Sequence, residues 1–270
     1  MAGIENDGRQ VTVSPITRDE KLSYMVSNLQ GVGARQRQED SFAFVNALSP
    51  EQYLRDGLMF CVCDGMGGMS DGKVASETAV ASLRRTFASL DKTGNIGRQL
   101  ADGLIGASDE VFSQLGGGGG STAVFCVIID EKLYFASAGD SFLYLFREGR
   151  LIRLNSEHNL CHEKYLENIR DGYLDINEPR NDPETNALTS FLGMAGELTV
   201  DLSENAIPLL SGDLLLACSD GVGGVLCERA LKSMLISTSV AQMTKDIEES
   251  IITMNRVNQD NYTALIVQCI

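Results

Sequence analysis

The stretch Leu58–Cys63, LMFCVC, followed directly by Asp64-Gly65, decides the fold. Six consecutive apolar residues are short for a helix and match a strand that is buried on both faces. Asp-Gly is a common turn pair, because both residue types accept the backbone angles that turns require. The sequence therefore predicts a central strand whose end places a carboxylate at one edge of a sheet.

The hydrophobic period changes along the chain downstream of this strand. Apolar residues recur every three or four positions on two successive helical faces, Val80, Leu83, Phe87 and Leu90, then Ile96, Leu100, Leu104, Ala107, Val111 and Leu115. Short runs of β-forming residues follow over residues 122–154, and the turn pairs between them are typical of an antiparallel meander. Helices and strands come in blocks, so the predicted fold class is α+β.

The rest of the chain predicts one polar excursion and a return to the core. Residues 158–189 are polar and charged and contain two prolines, which indicates a flap-like excursion rather than core. Further strands are predicted around residues 213–218 and 262–269, with helices around 225–235 and 240–254 between them. Because the sequence contains no Pro-rich or Ser-rich linker, we expect a single domain over residues 1–270, with a core from about 25 to 270.

Composition limits the function classes. The 270 residues include 22 Lys and Arg against 37 Asp and Glu, a formal charge of −15, which argues against a nucleic-acid partner. No apolar run is long enough to cross a membrane, and the first residues lack the pattern of a signal peptide. The seven cysteines form no C-x-x-C pair and mostly lie in apolar runs. We expect a cytoplasmic protein with no membrane partner.

Acidic residues lie beside several predicted strands, and this is the main functional signal: Glu39, Asp40, Asp64, Asp140, Asp220 and Asp260. Any one of them is adequately explained as a turn or cap residue. Because Glu39 and Asp40 are adjacent, the six acids occupy five places. Five such places in one chain favour convergence on one pocket, provided that the fold brings the strand ends together. A buried carboxylate without a partner is costly, and few Lys or Arg residues lie nearby, so the sequence predicts bound cations.

Oxygen donors select hard cations such as Mg²⁺ or Mn²⁺. Zinc is disfavoured, because the chain has only His158 and His162 and no Cys/His cluster with ligand spacing. Two hard cations that share a carboxylate lower the pKa of a water held between them. Such a water, facing an arginine fork, suits attack on a phosphate ester, and Arg35 and Arg37 are the basic residues near these acids.

A competing motif lies directly after the central strand. Residues 67–73 have the G-x-x-x-x-G-K spacing of a phosphate-binding loop, which makes a nucleotide-binding module an alternative. The position that should be Ser or Thr is Val74, and Asp71 would face phosphate with the wrong charge. The loop is therefore a weak match.

These segments, in this order, resemble the metal-dependent PP2C (PPM) protein phosphatases, in their bacterial form. Six motifs carry the resemblance: Arg35-x-x-x-Glu39-Asp40, Asp64-Gly65-Met66-Gly67-Gly68, Gly120-Ser121-Thr122-Ala123, Gly139-Asp140-Ser141, Ser219-Asp220-Gly221 and Asp260-Asn261-x-Thr263. Each motif is weak alone, and all six in family order are very specific. The resemblance implies a four-layer α/β/β/α sandwich, with two antiparallel sheets packed between pairs of helices and metals at one edge.

The resemblance also implies an activity and a set of roles. It implies hydrolysis of phosphoserine and phosphothreonine in proteins, in opposition to a Ser/Thr kinase, with two Mn²⁺ or Mg²⁺ ions and a third, weaker site. The implied ligands are Asp64 as the bridge, the carbonyl of Gly65, Asp220, Asp260, Asp140 for the weaker ion, and Glu39 and Asp40 through water. Arg35 would bind the phosphate. A relative that binds phosphoproteins without turnover is the alternative within the fold.

Three positions depart from the family pattern. Animal members often have His at the place of Met66, where it is proposed to protonate the leaving group; a thioether cannot do so. Phe142 follows Gly-Asp-Ser where Arg is usual, and Gln38 stands where Asn is usual. Glu157-His158 stands where the family often has Asp-His. We expect His158 to have a structural role rather than a catalytic one.

Overall fold

The computed structural model describes residues 21–67, 71–172 and 187–270. The first twenty residues, residues 68–70 of the competing glycine motif and residues 173–186 of the predicted excursion lie outside the described residues. In chain order the described strands are β1 (Tyr24–Gly31), β2 (Ser41–Val45), β3 (Leu58–Cys63), β4 (Gly65–Gly67), β5 (Gly119–Ser121), β6 (Ala123–Ile129), β7 (Lys132–Ala138), β8 (Phe142–Arg147), β9 (Arg150–Arg153), β10 (Asp201–Leu202), β11 (Ile207–Pro208), β12 (Leu214–Cys218) and β13 (Tyr262–Cys269).

The structure describes seven helices, and four of them cover the outer faces of the sheets. They are α1 (Pro50–Asp56), α2 (Asp71–Ala88), α3 (Ile96–Leu115), α4 (Leu160–Arg170), α5 (Asp220–Gly223), α6 (Glu228–Met234) and α7 (Val240–Met254). Side chains cap several of them: Asn95 accepts a hydrogen bond from the backbone of Arg98 at the start of α3, and Ser239 accepts one from Gln242 at the start of α7. Asn255 ends α7 in the left-handed conformation.

Two antiparallel sheets stack face to face. The first sheet has the strand order β1-β13-β12-β8-β9, and the second has the order β10-β7-β6-β3-β2, with β11 also paired to β7. All of these pairings are antiparallel. Helices α2 and α3 cover the second sheet, while α6 and α7 cover the first. The predicted α+β class and the α/β/β/α layering are confirmed.

The central strand β3 is buried on both faces, as its sequence predicts. Met59, Cys61 and Cys63 pack into the apolar layer under α2 and α3. Leu58, Phe60 and Val62 point to the opposite side and pack between the two sheets. This alternation follows from the two-residue period of a strand, and it explains why β3 carries no polar residue.

The described elements that were not predicted from sequence include β1, α1 and α4. β1 alternates apolar and polar residues weakly because it is an edge strand, paired only with β13 within its sheet. α1 is a seven-residue helix that Ser49 caps and Pro50 opens. α4 lies at the start of the predicted excursion, its sequence is rich in charged residues, and none of its residues is buried, so the sequence does not separate it from the excursion.

Among the described residues, no helix combines the length and the apolarity that a membrane crossing demands. All seven cysteines are unpaired, and five of them are buried.

The stability of the sandwich depends on the apolar layer between its sheets. Leu215 on β12 is fully buried in that layer. We expect Leu215→Ala to lower the free energy of unfolding by about 2–5 kcal/mol, because the substitution removes buried methyl groups and leaves a cavity. Leu48→Ala, at a side chain that is 91% exposed, serves as the control and should change it by less than about 0.5 kcal/mol. Urea titration measures both, and equal values would contradict this account of the core.

Candidate active site

The strand register brings the acidic residues of the second sheet together. Ser41 at the start of β2 pairs with Cys63 at the end of β3. The residues just outside this pair, Asp40 and Asp64, are therefore neighbours. The backbone of Asp64 is fixed from the other side, because its N–H donates to Thr122 Oγ1 and its carbonyl accepts the N–H of Thr122.

The first sheet delivers its acidic residues to the same edge. Cys218 at the end of β12 pairs with Phe142 at the start of β8 and with Ala264 near the start of β13. Asp140, Asp220 and Asp260 lie a few residues beyond these three positions. A cavity of about 310 Å³ opens here, lined by Asp140, Phe142, Glu157, Asn159, Asp220, Gly221, Gly224, Val225, Arg256, Asn258, Gln259 and Asp260.

Asp40 is fully buried at this edge. Its Oδ2 atom accepts hydrogen bonds from Thr263 Oγ1 at 2.7 Å and from Ser219 Oγ at 2.9 Å. Its Oδ1 atom is buried and has no hydrogen-bond partner. Burial raises the pKa of Asp40 to about 6, although the hydroxyl hydrogen bonds oppose the rise. One oxygen of this carboxylate thus stands ready for a ligand.

Burial and neighbouring negative charges also disfavour the ionised form of the nearby acids. Burial raises the pKa of Asp64 well above its usual range, and the charges of Asp40, Asp220 and Asp140 add to the rise. Burial, followed by the charge of Asp260, also raises the pKa of Asp220, whose Oδ1 atom is buried without a hydrogen-bond partner. The pKa of Asp140 rises to about 7, first through burial and then through Asp220. Carboxylates held this close favour a bound cation.

Arg35 lies on the exposed side of this cluster. Its Nη2 atom donates to Asp260 Oδ2 at 2.6 Å, and the two side chains are 60% and 39% exposed. Burial raises the pKa of the adjacent Glu39, and the charge of Arg35 opposes that rise. The sequence predicts Arg35 as the residue that binds phosphate, whereas its partner in the structure is Asp260, at the mouth of the site.

Gly65 and the start of α2 close the back of the site. A Cβ atom at Gly65 would lie 2.0 Å from the carbonyl oxygen of Gly72 and 2.6 Å from that of Glu39, so only glycine fits. Lys73 Nζ donates to the carbonyl oxygen of Asp40 at 2.9 Å and to Ser41 Oγ at 3.0 Å. Lys73, the lysine of the competing nucleotide motif, therefore holds the acidic segment Glu39-Asp40 in place.

The donors at this edge fit hard divalent cations. They are oxygen atoms, two of them are buried without a partner, and the carboxylates outnumber the nearby cations. Within residues 21–67, 71–172 and 187–270, no three His, Cys, Asp or Glu side chains form a ready-made metal site. A ligand set that also uses the carbonyl of Gly65 and water does not need three converging carboxylates.

Several positioning residues were not identified from sequence as such. Asn261 accepts the backbone N–H of Glu39 at 2.7 Å and donates to the carbonyls of Val32 and Arg37. Gln38, one of the departures from the family pattern, accepts the backbone N–H of Asp40 at 2.9 Å. Their place inside the motifs was the sequence signal for these two residues. The partners of Asn261 lie more than two hundred residues away, and the partner of Gln38 is a backbone group, so no local pattern indicates either contact.

His158 is structural, as expected from sequence. Its ring Nδ1 atom accepts the backbone N–H of Gly139 at 3.1 Å. The backbone N–H of His158 donates to the Gly139 carbonyl at 2.9 Å. Burial lowers the pKa of His158. The histidine thus fixes the turn that carries Asp140.

Comparison with known proteins agrees with this geometry. The family described as Protein phosphatase 2C matches residues 23–177. "Serine/threonine phosphatase stp" of Listeria welshimeri is 30% identical over 221 residues, which cover 77% of this chain and 82% of that protein. "Protein phosphatase PhpP" of Streptococcus pneumoniae is 30% identical over 185 residues, which cover 66% of this chain and 73% of that protein.

Solved structures give the same result for the fold. PppA, described as a key regulatory component of T6SS in Pseudomonas aeruginosa, has a TM-score of 0.73 at 26% identity, covering 92% of this chain and 98% of that one. The catalytic domain of the serine threonine protein phosphatase PstP in complex with 2 manganese ions has a TM-score of 0.72 at 20% identity, covering 93% and 100%. The resemblance found in the sequence is confirmed, and the chain belongs to the Protein phosphatase 2C family of protein phosphatases.

Proposed function

We propose that this phosphatase removes phosphate from phosphoserine and phosphothreonine in proteins, with Mn²⁺ or Mg²⁺ at the buried acidic edge. The observation that carries the proposal is the pair of buried carboxylate oxygens, Asp40 Oδ1 and Asp220 Oδ1, that have no partner in a cluster of like charges. Such an arrangement is unfavourable unless cations neutralise it. The names of the relatives support the substrate class.

In this proposal the acids would divide the work of holding the cations. Asp64, the Gly65 carbonyl, Asp220 and Asp260 would hold two ions, with Asp64 shared between them. Glu39 and Asp40 would act through water, and Asp140 would hold a weaker third ion. When bound, the ions lower the pKa of a water nucleophile and neutralise the phosphate charge.

Arg35 orients the phosphate from the mouth of the site. A guanidinium has five N–H donors, so contact with Asp260 does not use up its capacity for phosphate oxygens. Its half-exposed position leaves it within reach of a substrate that arrives from solvent. Catalysis by positioning and charge neutralisation is what phosphoryl transfer generally requires.

The leaving alkoxide must obtain a proton from water. Met66 is partly exposed on β4 beside the acidic edge, and its thioether has no proton to give. We infer that solvent serves as the acid at this step, so no side chain of the described residues is assigned to it.

The substrates in this proposal are phosphoproteins made by an opposing Ser/Thr kinase, and the place of action is the cytoplasm. Seven unpaired cysteines, most of them buried, agree with a reducing compartment. We propose one domain over the chain, with the excursion at residues 158–189 selecting substrates. The exposed helix α4 at its start supports this role, whereas residues 173–186 lie outside the described part.

Metal dependence tests the proposal directly. We expect Mn²⁺-supported hydrolysis of a phosphothreonine peptide, complete loss in EDTA and recovery with added Mn²⁺. Asp220→Asn should lower kcat/KM by at least about 100-fold, because it removes a charged ligand. Asp102→Asn, on the exposed face of α3, is the matched control, and its kcat/KM should be unaffected.

Full activity of the wild type after exhaustive chelation would refute the metal mechanism. No hydrolysis with any divalent ion would favour a non-catalytic relative.

Arg35→Ala should raise KM for the same peptide by more than about tenfold, because it removes a charge-assisted contact to the phosphate. Arg84→Ala is the control, since Arg84 is exposed on α2 and does not line the acidic cavity. Steady-state kinetics at saturating Mn²⁺ measure both variants. An unchanged KM in Arg35→Ala would show that Arg35 contacts Asp260 but not the phosphate of the substrate.

A further inference from the structure

One cation on the wall of the acidic cavity has no role in the mechanism described above. Arg256 lines this cavity together with four carboxylates, those of Asp140, Glu157, Asp220 and Asp260. In the described part of the chain, Arg256 nevertheless forms no ion pair and no side-chain hydrogen bond. The residue is exposed.

The nearby acids already have other partners or other proposed uses. Glu157 accepts hydrogen bonds from Arg153 and from Asn159, and Asp260 accepts one from Arg35. Asp140 and Asp220 belong to the proposed metal site. None of these four acids forms an ion pair with Arg256, so its charge is available to a group that enters from solvent.

The backbone below Arg256 is anchored although its side chain is exposed. The carbonyl of Arg256 accepts the N–H of Gln259 at 3.2 Å, which closes a turn. The side chain of Gln259 is buried and donates to the Gly221 carbonyl at 2.9 Å, next to Asp220. The Gln259 carbonyl accepts the N–H of Ala34, next to Arg35. The turn therefore holds Arg256 at a fixed place relative to both Asp220 and Arg35.

The surface around Arg256 also suits a peptide. Val257 is 89% exposed beside it, and Val32, on the loop that carries Arg35, is exposed as well. Val225 adds an apolar side chain inside the cavity. An anchored turn that presents a cation on the wall of the site, followed by an exposed apolar residue, can contact the residues that flank a phosphorylated side chain.

We propose that Arg256 binds an anionic group of the substrate next to the scissile phosphate, and that the enzyme therefore prefers acidic phosphopeptides. The group is a carboxylate or a second phosphate, because both accept bidentate hydrogen bonds from a guanidinium. With a chain charge of −15, local cations decide where an acidic peptide can approach. This inference rests on the proposed function and adds a substrate class to it.

Three peptides with one phosphothreonine test the preference. The first has neutral flanking residues, the second has glutamates on both sides, and the third carries a second phosphate on a nearby residue that resists hydrolysis, such as a phosphonate analogue. We expect kcat/KM of the wild type to be at least about fivefold higher for one or both anionic peptides, and the comparison of the second with the third identifies the favoured anion.

Variants at Arg256 then assign the preference to this residue. Arg256→Gln should bring the ratio of kcat/KM between anionic and neutral peptides close to one, Arg256→Glu should invert it, and Arg256→Lys should retain part of it. Arg229→Gln, at an exposed position of α6 outside the cavity, is the matched control and should keep the wild-type ratio.

The outcomes separate this inference from the proposed function. Hydrolysis of all three peptides with equal efficiency by the wild type would overturn the preference while the phosphatase activity stands. A wild-type ratio that persists in Arg256→Gln would overturn the role of Arg256. Absence of hydrolysis of every peptide, with Mn²⁺ present, would overturn the proposed function and this inference with it.

Discussion

The structure depends on one buried carboxylate that joins the two sheets. Asp40 precedes β2 of the second sheet, and its two hydroxyl partners, Ser219 and Thr263, belong to the ends of β12 and β13 in the first. Hydrogen bonds to a charged group are stronger than neutral ones, and at a buried site they cost more to lose. The same contact that aligns the sheet edges also brings Asp64 and Asp220 together, so folding and site assembly are coupled.

This coupling leaves the site with an excess of negative charge that the fold does not resolve. Arg35 and Lys73 contact the acidic segment, but Arg35 reaches only the exposed Asp260, and Lys73 donates to the backbone of Asp40 and to a hydroxyl rather than to a carboxylate. The deepest oxygens stay unpartnered. A buried arginine would reduce this repulsion, yet it would fill the space that the proposed divalent ions need.

The sequence predicted the central layers and the acids because both depend on local signals. Leu58–Cys63 is apolar on both faces, and each acid follows or precedes a strand whose partners are set by antiparallel register. β1, α1 and α4 were missed because an edge strand, a seven-residue helix and a helix with no buried residue bury too little to impose a period. The contact of Arg35 with Asp260 joins residues 225 positions apart, which no local pattern encodes.

The departure at Phe142 shows how a cation on the neighbouring strand can replace one at the adjacent position in the chain. The family usually has a cation directly after Gly-Asp-Ser, and here the ring of Phe142 lies 4.2 Å below the guanidinium of Arg153 and also stacks on Tyr144. Arg153 comes from β9, where it pairs with Tyr144 across the strands, and its charge opposes the rise in the pKa of Asp140. A positive charge near Asp140 is therefore retained, supplied from the neighbouring strand and held in place by the aromatic ring.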